Sequence, residues 1–360
     1  MTVGIARKSL DQMTPYKPGG TIEEFKRELG LKKIIKLASN ENAAGPSPKA
    51  LKAIRRHLED LHRYPDSDCF LLKKKLASRW GIRESMITVG NGSDEIILLA
   101  LRAFVEEGDE VVVANPTFLI YEVASRVAAA KVVEVPLKNF RYDLIRMKEA
   151  VSAKTKIVFI ANPDNPTGTY VKREEVEEFL KDLPKHVIVF FDEAYFEFVE
   201  EKDYPDSRKH LSRHPVIITR SFSKAYGLAG LRIGYGLSNP EIADYLNRVR
   251  EPFNVNALAQ AAALAALEDR DHLEKTRRMV REGRRFLYRH LDELGLRYVP
   301  SQTNFILVNV GDGKAIYEKL LKFGLLVRDM GAWKLDAFIR VTIGTREENR
   351  RLIQVLHKIL

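Results

Sequence analysis

The sequence predicts an α/β fold, with a large layered domain around a mostly parallel sheet and a smaller α+β unit after it. Three features of the residue order carry that expectation. Between about residues 85 and 220, short apolar, β-branched runs alternate with longer helical patterns, the order that buries parallel strands between layers of helices. Beyond Pro240 the pattern changes: Ala257 to Leu294 is rich in Ala, Leu, Arg and Glu, with few breakers before Gly295. It reads as one long helix that leaves the large domain. The rest of the chain alternates strand-like and helix-like segments again, enough for a compact unit of its own.

In order, the strand-like runs of the large domain are Met86 to Val89, Glu110 to Ala114, Lys131 to Val135, Lys156 to Ala161, Val187 to Phe191 and Val216 to Thr219. Glu95 to Phe104, Phe118 to Ala129 and Glu174 to Leu180 have helical spacing between them. In the second unit Asn304 to Val308, Leu325 to Arg328 and Phe338 to Thr342 read as strands, Lys314 to Phe323 as a helix, and a closing helix begins at Arg346. The expected division is an N-terminal arm over 1–40 that belongs with the small domain, a large domain over 41–265, and a small domain over 266–360, with the long helix linking the two. No internal repeat or low-complexity linker interrupts this order.

A chain of 360 residues at 45% hydrophobic composition can bury a large core. Its net charge of +10 comes mostly from basic residues interleaved with acids on helix-like segments such as Glu174 to Lys181, which reads as solvated surface. The densest basic run, Lys73-Lys74-Lys75, sits among Leu71, Leu72, Leu76 and Trp80 at helical spacing, as expected for an exposed helix face. Neither nucleic acid nor membrane is expected as a partner, and no metal site is expected. The single cysteine, Cys69, allows no intrachain disulfide and fits a reducing compartment. With no secretory apolar run at the N-terminus and no long apolar span, a cytoplasmic location is the expectation. Asn91-Gly92-Ser93 matches a glycosylation acceptor, which in that context reads as chance.

Four short stretches follow strand-like runs, where a parallel sheet presents ligand-binding loops. Gly90-Asn91-Gly92-Ser93-Asp94-Glu95 is a glycine turn into a helix, with Ser93 or Asp94 as the expected cap; the N–H groups of such a helix end bind phosphate. Asn162-Pro163-Asp164-Asn165-Pro166-Thr167-Gly168 is an extended loop that fixes the amide of Asn165. Phe191-Asp192-Glu193-Ala194-Tyr195 puts Asp192 at the end of an apolar strand, where a carboxylate is costly without a cation or a cap. Ser221-Phe222-Ser223-Lys224 combines two hydroxyls with a lysine, and Arg232 follows eight residues later. This set offers an anion cradle and a nucleophilic amine. A phosphate cradle, a carboxylate, a phenol and a lysine are the groups that pyridoxal phosphate needs from a protein.

With those residues in view, the chain resembles the fold-type I aminotransferases and, within them, the histidinol-phosphate aminotransferase family. The resemblance runs from Lys36-Leu37-Ala38-Ser39-Asn40-Glu41-Asn42 through Arg63-Tyr64-Pro65, the four loops above and Gly227-Leu228-Ala229-Gly230-Leu231-Arg232 to Ile339-Arg340-Val341-Thr342. It implies that the large domain binds pyridoxal 5'-phosphate. Lys224 is then the imine-forming lysine, and Asp192 the partner of the pyridine nitrogen. Asn165 and Tyr195 are implied at the ring's 3-oxygen. Gly92, Ser93, Asp94, Ser221, Ser223 and Arg232 are implied at the phosphate. Phe118 stands where the family usually stacks a tyrosine on the ring. It keeps the stacking face without the hydroxyl. Tyr64 resembles the tyrosine that reaches the neighbouring subunit's site, so a homodimer is implied as the catalytic unit. One departure is Ala43, where the family commonly has proline after the second asparagine of Asn40-Glu41-Asn42.

For the substrate, the resemblance implies Tyr16, Asn42, Arg328 and Arg340. Arg340 resembles the arginine that binds the α-carboxylate and, in this family, also meets the substrate phosphate. Arg328 resembles the second phosphate arginine. The implied activity is transamination of L-histidinol phosphate with 2-oxoglutarate, giving imidazole acetol phosphate and glutamate, a step of histidine biosynthesis. The alternatives are an aromatic amino-acid aminotransferase, a threonine-phosphate decarboxylase on the same scaffold, and a basic binding protein that retains the fold without catalysis.

Overall fold

The computed structural model describes residues 22–30 and 33–360; Tyr16 lies outside them. Thirteen strands occur in chain order among the described residues: β1 Ile35–Lys36, β2 Ile87–Gly90, β3 Glu110–Asn115, β4 Lys131–Pro136, β5 Thr155–Ala161, β6 Ile188–Asp192, β7 Val216–Ser221, β8 Gly234–Ser238, β9 Tyr298–Val299, β10 Phe305–Asn309, β11 Leu325–Leu326, β12 Arg328–Asp329 and β13 Phe338–Thr342. Seven of them form one sheet in the order β2-β8-β7-β6-β5-β3-β4. Only β8 runs against the others, so the mostly parallel sheet read from the sequence is present. Its central strands are apolar throughout because helices cover both faces: Val111–Val113, Ile157–Ile160, Val189–Phe191 and Val216–Ile218 are all buried.

A second sheet, in the order β12-β13-β10-β9, is antiparallel and packs against the helices Arg270–Glu293 and Arg346–Ile359 through Val280, Leu287, Leu352 and Leu356. Strand β1 pairs in parallel with β11, so the segment just before the first site loop is bonded to the C-terminal part of the chain. The carbonyl of Leu37 also accepts from Thr342 N at 2.8 Å, which brings Ala38–Asn40 beside β13.

Three expectations are corrected. The stretch Leu325 to Arg328 is not one strand: its first half pairs with β1 and its second with β13. The long helix is two helices, Ala257–Leu267 and Arg270–Glu293. Asp269 makes the break, since its carboxylate accepts from His272 N at 3.4 Å as the cap of the second helix and from Ser47 Oγ at 2.6 Å. The helix after Gly92 starts at Ser93 with Gly92 as its cap residue and no side-chain cap, so neither Ser93 nor Asp94 caps it. No helix among the described residues is long and apolar enough to cross a membrane.

Asp269 is thus shared between a helix end and the loop that enters the site. Asp269→Ala is expected to lower stability in urea by about 1–2 kcal/mol, the usual cost of a lost N-cap, with an unchanged m-value.

Candidate active site

Strands β5, β6 and β7 run parallel and end together, so the loops after them meet at one sheet edge. There the chain encloses a cavity of about 460 Å³. Twelve of the sixteen expected site residues line it: Ser93, Asp94, Phe118, Asn165, Asp192, Tyr195, Ser221, Ser223, Lys224, Arg232, Arg328 and Arg340. Gly92 stands just behind them.

The loop that carries Lys224 is held from below. Phe222 is fully buried, with its ring 5.1 Å from Tyr226 and 5.7 Å from Tyr235. Leu228 N donates to the Phe222 carbonyl at 3.0 Å. Gly227 turns the chain at φ +70°, and a Cβ there would stand 2.2 Å from the Gly45 carbonyl oxygen, so this close approach of two loops requires glycine. Lys224 is left on the cavity wall, with Nζ donating to the Ser39 carbonyl at 3.4 Å and lying 5.6 Å from the centre of the Tyr195 ring.

At one end of the cavity the anion cradle is assembled. Arg232 Nη1 donates to Ser223 Oγ at 3.4 Å, Nη2 meets Asp94 Oδ2 at 3.2 Å, and Ser221 Oγ accepts from Ser223 N at 3.0 Å. Gly92, at φ +87°, would place a Cβ 2.7 Å from Arg232 Nη2. Glycine is favoured at that φ, and without a Cβ the guanidinium lies close against the helix start at Ser93. Helix N-terminus, two hydroxyls and an arginine together suit a phosphate.

Asp192 lies at the floor. Its Oδ2 accepts from Tyr121 Oη at 2.7 Å, and its Oδ1 from Ala194 N at 3.1 Å and Thr219 Oγ1 at 3.3 Å. Burial pushes its pKa up to about 6 against these stabilising bonds. Burial, then the Asp192 charge, raises the Tyr121 phenol far above its ordinary value, so Tyr121 is always the donor. A cationic ring nitrogen is the partner such a carboxylate lacks among its protein contacts. Tyr195 Oη accepts from Asn40 Nδ2 at 2.9 Å, which leaves its own proton to give. Asn165 Oδ1 accepts from Arg340 Nη1, which turns its NH₂ group toward other acceptors. Phe118 stands edge-on to Tyr121, with centroids 5.5 Å apart.

Arg328 and Arg340 close the far side as opposite residues of β12 and β13. Arg340 Nη2 also donates to the Ala38 carbonyl at 3.1 Å. Two expected residues are elsewhere. The Asn42 amide donates to the Ala225 carbonyl at 3.0 Å and to Thr276 Oγ1 at 3.2 Å; it clasps the lysine loop to the helix Arg270–Glu293 and does not line the cavity. Tyr64 is 82% exposed and stacks on Phe253 at 4.6 Å. Sequence reasoning missed Tyr121, Asn40 and Trp333, all of which line the cavity. Tyr121 follows Phe118 by three residues at a helix start, a spacing that puts both on one face. No group of His, Cys, Asp and Glu among the described residues could hold a metal.

The Asp192 shift has a sign that can be measured. Its folded pKa, about 6, lies above its ordinary 3.8, so the folded chain binds more protons than the unfolded chain between those values, and stability falls as pH rises through that window. In cofactor-free protein, Asp192→Asn is expected to raise stability by about 2–3 kcal/mol at pH 8 and to lose that advantage below about pH 4. Denaturant melts across this range check it.

The pattern of the aminotransferase class I and II family matches residues 32–356. A histidinol-phosphate aminotransferase of Moorella thermoacetica is 47% identical over 362 aligned residues, covering 100% of this chain and 94% of the relative. One from Nitrosococcus oceani is 48% identical, covering 99% and 97%. The crystal structure of histidinol-phosphate aminotransferase from Sinorhizobium meliloti in complex with pyridoxal-5'-phosphate superposes with a TM-score of 0.91 at 31% identity, covering all of both chains. With its site loops following parallel strands in the same large α/β layer, the chain belongs to the class I and II aminotransferases and, within them, to the histidinol-phosphate aminotransferase family.

Proposed function

We propose that the chain is a pyridoxal-phosphate-dependent transaminase that moves an amino group from L-histidinol phosphate to 2-oxoglutarate, releasing imidazole acetol phosphate and glutamate. The observation that carries this reading is that Lys224 Nζ, the buried Asp192 carboxylate, the Arg232 cradle and the pair Arg328 and Arg340 face one cavity. A cofactor lysine alone would serve many reactions; a second cationic site across the same cavity selects a substrate that brings its own anion.

When bound, pyridoxal phosphate supplies an aldehyde carbon that takes the amine and a ring that withdraws electrons from the bonds at that carbon. Gly92, Ser93, Asp94, Ser221, Ser223 and Arg232 would hold its phosphate, with Phe118 on one ring face. Asp192 would keep the ring nitrogen protonated, since a cation beside a buried carboxylate favours its charged form and that charge in turn favours the ring's proton. The Asn165 amide and the Tyr195 hydroxyl would donate to the ring oxygen. Lys224 Nζ would take the proton from the donor's α-carbon, as the one amine facing that part of the cavity among the residues proposed for the site. Its neighbours Ser39 and Tyr195 keep it on that side of the cavity.

The donor's phosphate and, in the second half of the cycle, the carboxylates of 2-oxoglutarate would both use Arg340, with Arg328 adding the second cation for phosphate. Tyr16 belongs to the same proposal. Asn42 acts at one remove, by fixing the loop after Lys224. The unit is proposed to be a homodimer: Leu58, Leu61, Tyr64, Phe70 and Leu71 are each about half exposed or more, an apolar surface that a second copy would cover, with Tyr64 then at the neighbour's phosphate cradle. A cytoplasmic location fits a soluble biosynthetic transaminase.

Lys224→Ala is expected to lose the visible absorbance of the lysine-bound cofactor and to cut turnover at least about a thousandfold; near-normal turnover contradicts the lysine's role. A comparison of kcat/KM for histidinol phosphate, phenylalanine and phosphothreonine, with products identified, tests the substrate. The expected order puts histidinol phosphate first by at least about a hundredfold. A preference for phenylalanine, or carbon dioxide release from phosphothreonine, overturns it.

A further inference from the structure

Arg328 and Arg340 are direct cross-strand partners in the antiparallel pair β12–β13, so two guanidinium groups leave the same face of the sheet side by side. Like charges placed opposite one another work against such a pairing. One indole meets both. The ring of Trp333 lies 5.2 Å from Arg328 Cζ and 5.7 Å from Arg340 Cζ, and the residue is 3% exposed, a setting in which an aromatic face holds a cation well.

The indole is itself tied across the cavity. Its Nε1 donates to the Thr117 carbonyl at 2.8 Å, in the loop that carries Phe118. Thr117 Oγ1 donates to Asp164 Oδ1 at 2.8 Å. Asp164 adjoins Asn165, whose side chain accepts from Arg340. The contacts therefore close a ring from Trp333 through Thr117, Asp164, Asn165 and Arg340 back to Trp333.

We propose that Trp333 is a positioning residue for anion selection: its face sets Arg328 and Arg340 at the spacing that receives a phosphate, and its N–H fixes that platform to the loop of Phe118. This rests on the reading that the arginine pair receives the donor's phosphate. Arg340 has further supports in Asn165, the Ala38 carbonyl and the Phe305 ring, 5.1 Å from its Cζ. Arg328 sits on a two-residue strand at the edge of its sheet, and in the proposed reading phosphate uses both arginines whereas the carboxylate uses Arg340. Loss of the indole falls first on phosphate recognition and only then on carboxylate recognition.

The test uses the cofactor-loaded enzyme and the variants Trp333→Leu, Trp333→Phe and Arg328→Gln, with KM for histidinol phosphate, KM for glutamate and inhibition by inorganic phosphate as readouts. In Trp333→Leu, KM for histidinol phosphate and the inhibition constant of phosphate are expected to rise about tenfold, with a rise for glutamate of no more than about threefold and a nearly constant kcat. Trp333→Phe keeps the face and is expected to stay within about threefold of the parent on both substrates. An equal rise for both substrates in Trp333→Leu, or no rise, overturns the inference alone, provided Arg328→Gln raises KM for histidinol phosphate. If Arg328→Gln leaves that KM unchanged, the substrate reading falls and the inference with it. Should Trp333→Leu fail to fold, Trp80→Phe leaves Trp333 as the sole tryptophan of the two. Phosphate must then shift its emission saturably, and the shift must disappear on adding Arg328→Gln; an emission that phosphate does not move overturns the proposal.

Discussion

A carboxylate shut away from water at the end of a hydrophobic strand is the constraint around which this molecule is arranged. Asp192 ends β6 after Ile188-Val189-Phe190-Phe191, all buried, and desolvation there works against its charge. Three donors hold it: the Tyr121 hydroxyl, the Thr219 hydroxyl and the Ala194 amide. Each comes from a different part of the sheet edge, so the bonds that hold the carboxylate also align the helix after Phe118, the end of β7 and the turn toward Tyr195. Three residues past β7, on the same edge, stands Lys224. The position of Lys224 thus follows from the register of two parallel strands, Asp192 opposite Thr219.

The second sheet solves a separate problem. A parallel sheet can gather loops at one edge but cannot wall the cavity on the far side. That wall comes from β12 and β13, carried back to the site by the pairing of β1 with β11 and by the Arg340 bonds to Ala38 and Asn165. The residues proposed for the cofactor and those proposed for the substrate therefore sit on separate sheets and meet across the cavity. Reaction class can stay fixed in one while substrate choice is set in the other.

Much of this arrangement is legible in the sequence alone. Buried strands announce themselves as β-branched runs, and the loops after them held Gly92, Asn165, Asp192 and Lys224 in the order the sheet later brought together. The misses have physical causes. Strand β8, Gly-Tyr-Gly-Leu-Ser, is glycine-rich because Gly234 and Gly236 pass under Ser93 and Ile96, where a Cβ would stand 2.5 Å and 3.0 Å from the nearest atoms; close approach erased the usual strand signature. Leu325 to Arg328 looks like one strand because pairing partners leave no mark on composition. Ala257 to Leu294 has helical spacing on both sides of Asp269, and the break comes from that one carboxylate, which caps the second helix at His272 N and takes the Ser47 hydroxyl. Trp333 and Asn40 act through partners distant in the chain, Thr117 and Tyr195, which local pattern does not reveal. Asn42 matched a motif of the site, yet its amide is spent on Ala225 and Thr276.

The account stands on Lys224 being the one amine that the strand ends deliver to the cofactor. Borohydride reduction of the protein with pyridoxal phosphate bound, followed by protease digestion and mass mapping, reads this directly. The account predicts the pyridoxyl mass on the peptide containing Ser223-Lys224-Ala225, at about one per chain, and none in Asp192→Ala protein that has failed to retain the ring. A stoichiometric label on any other lysine, with Lys224 unmodified, would contradict it.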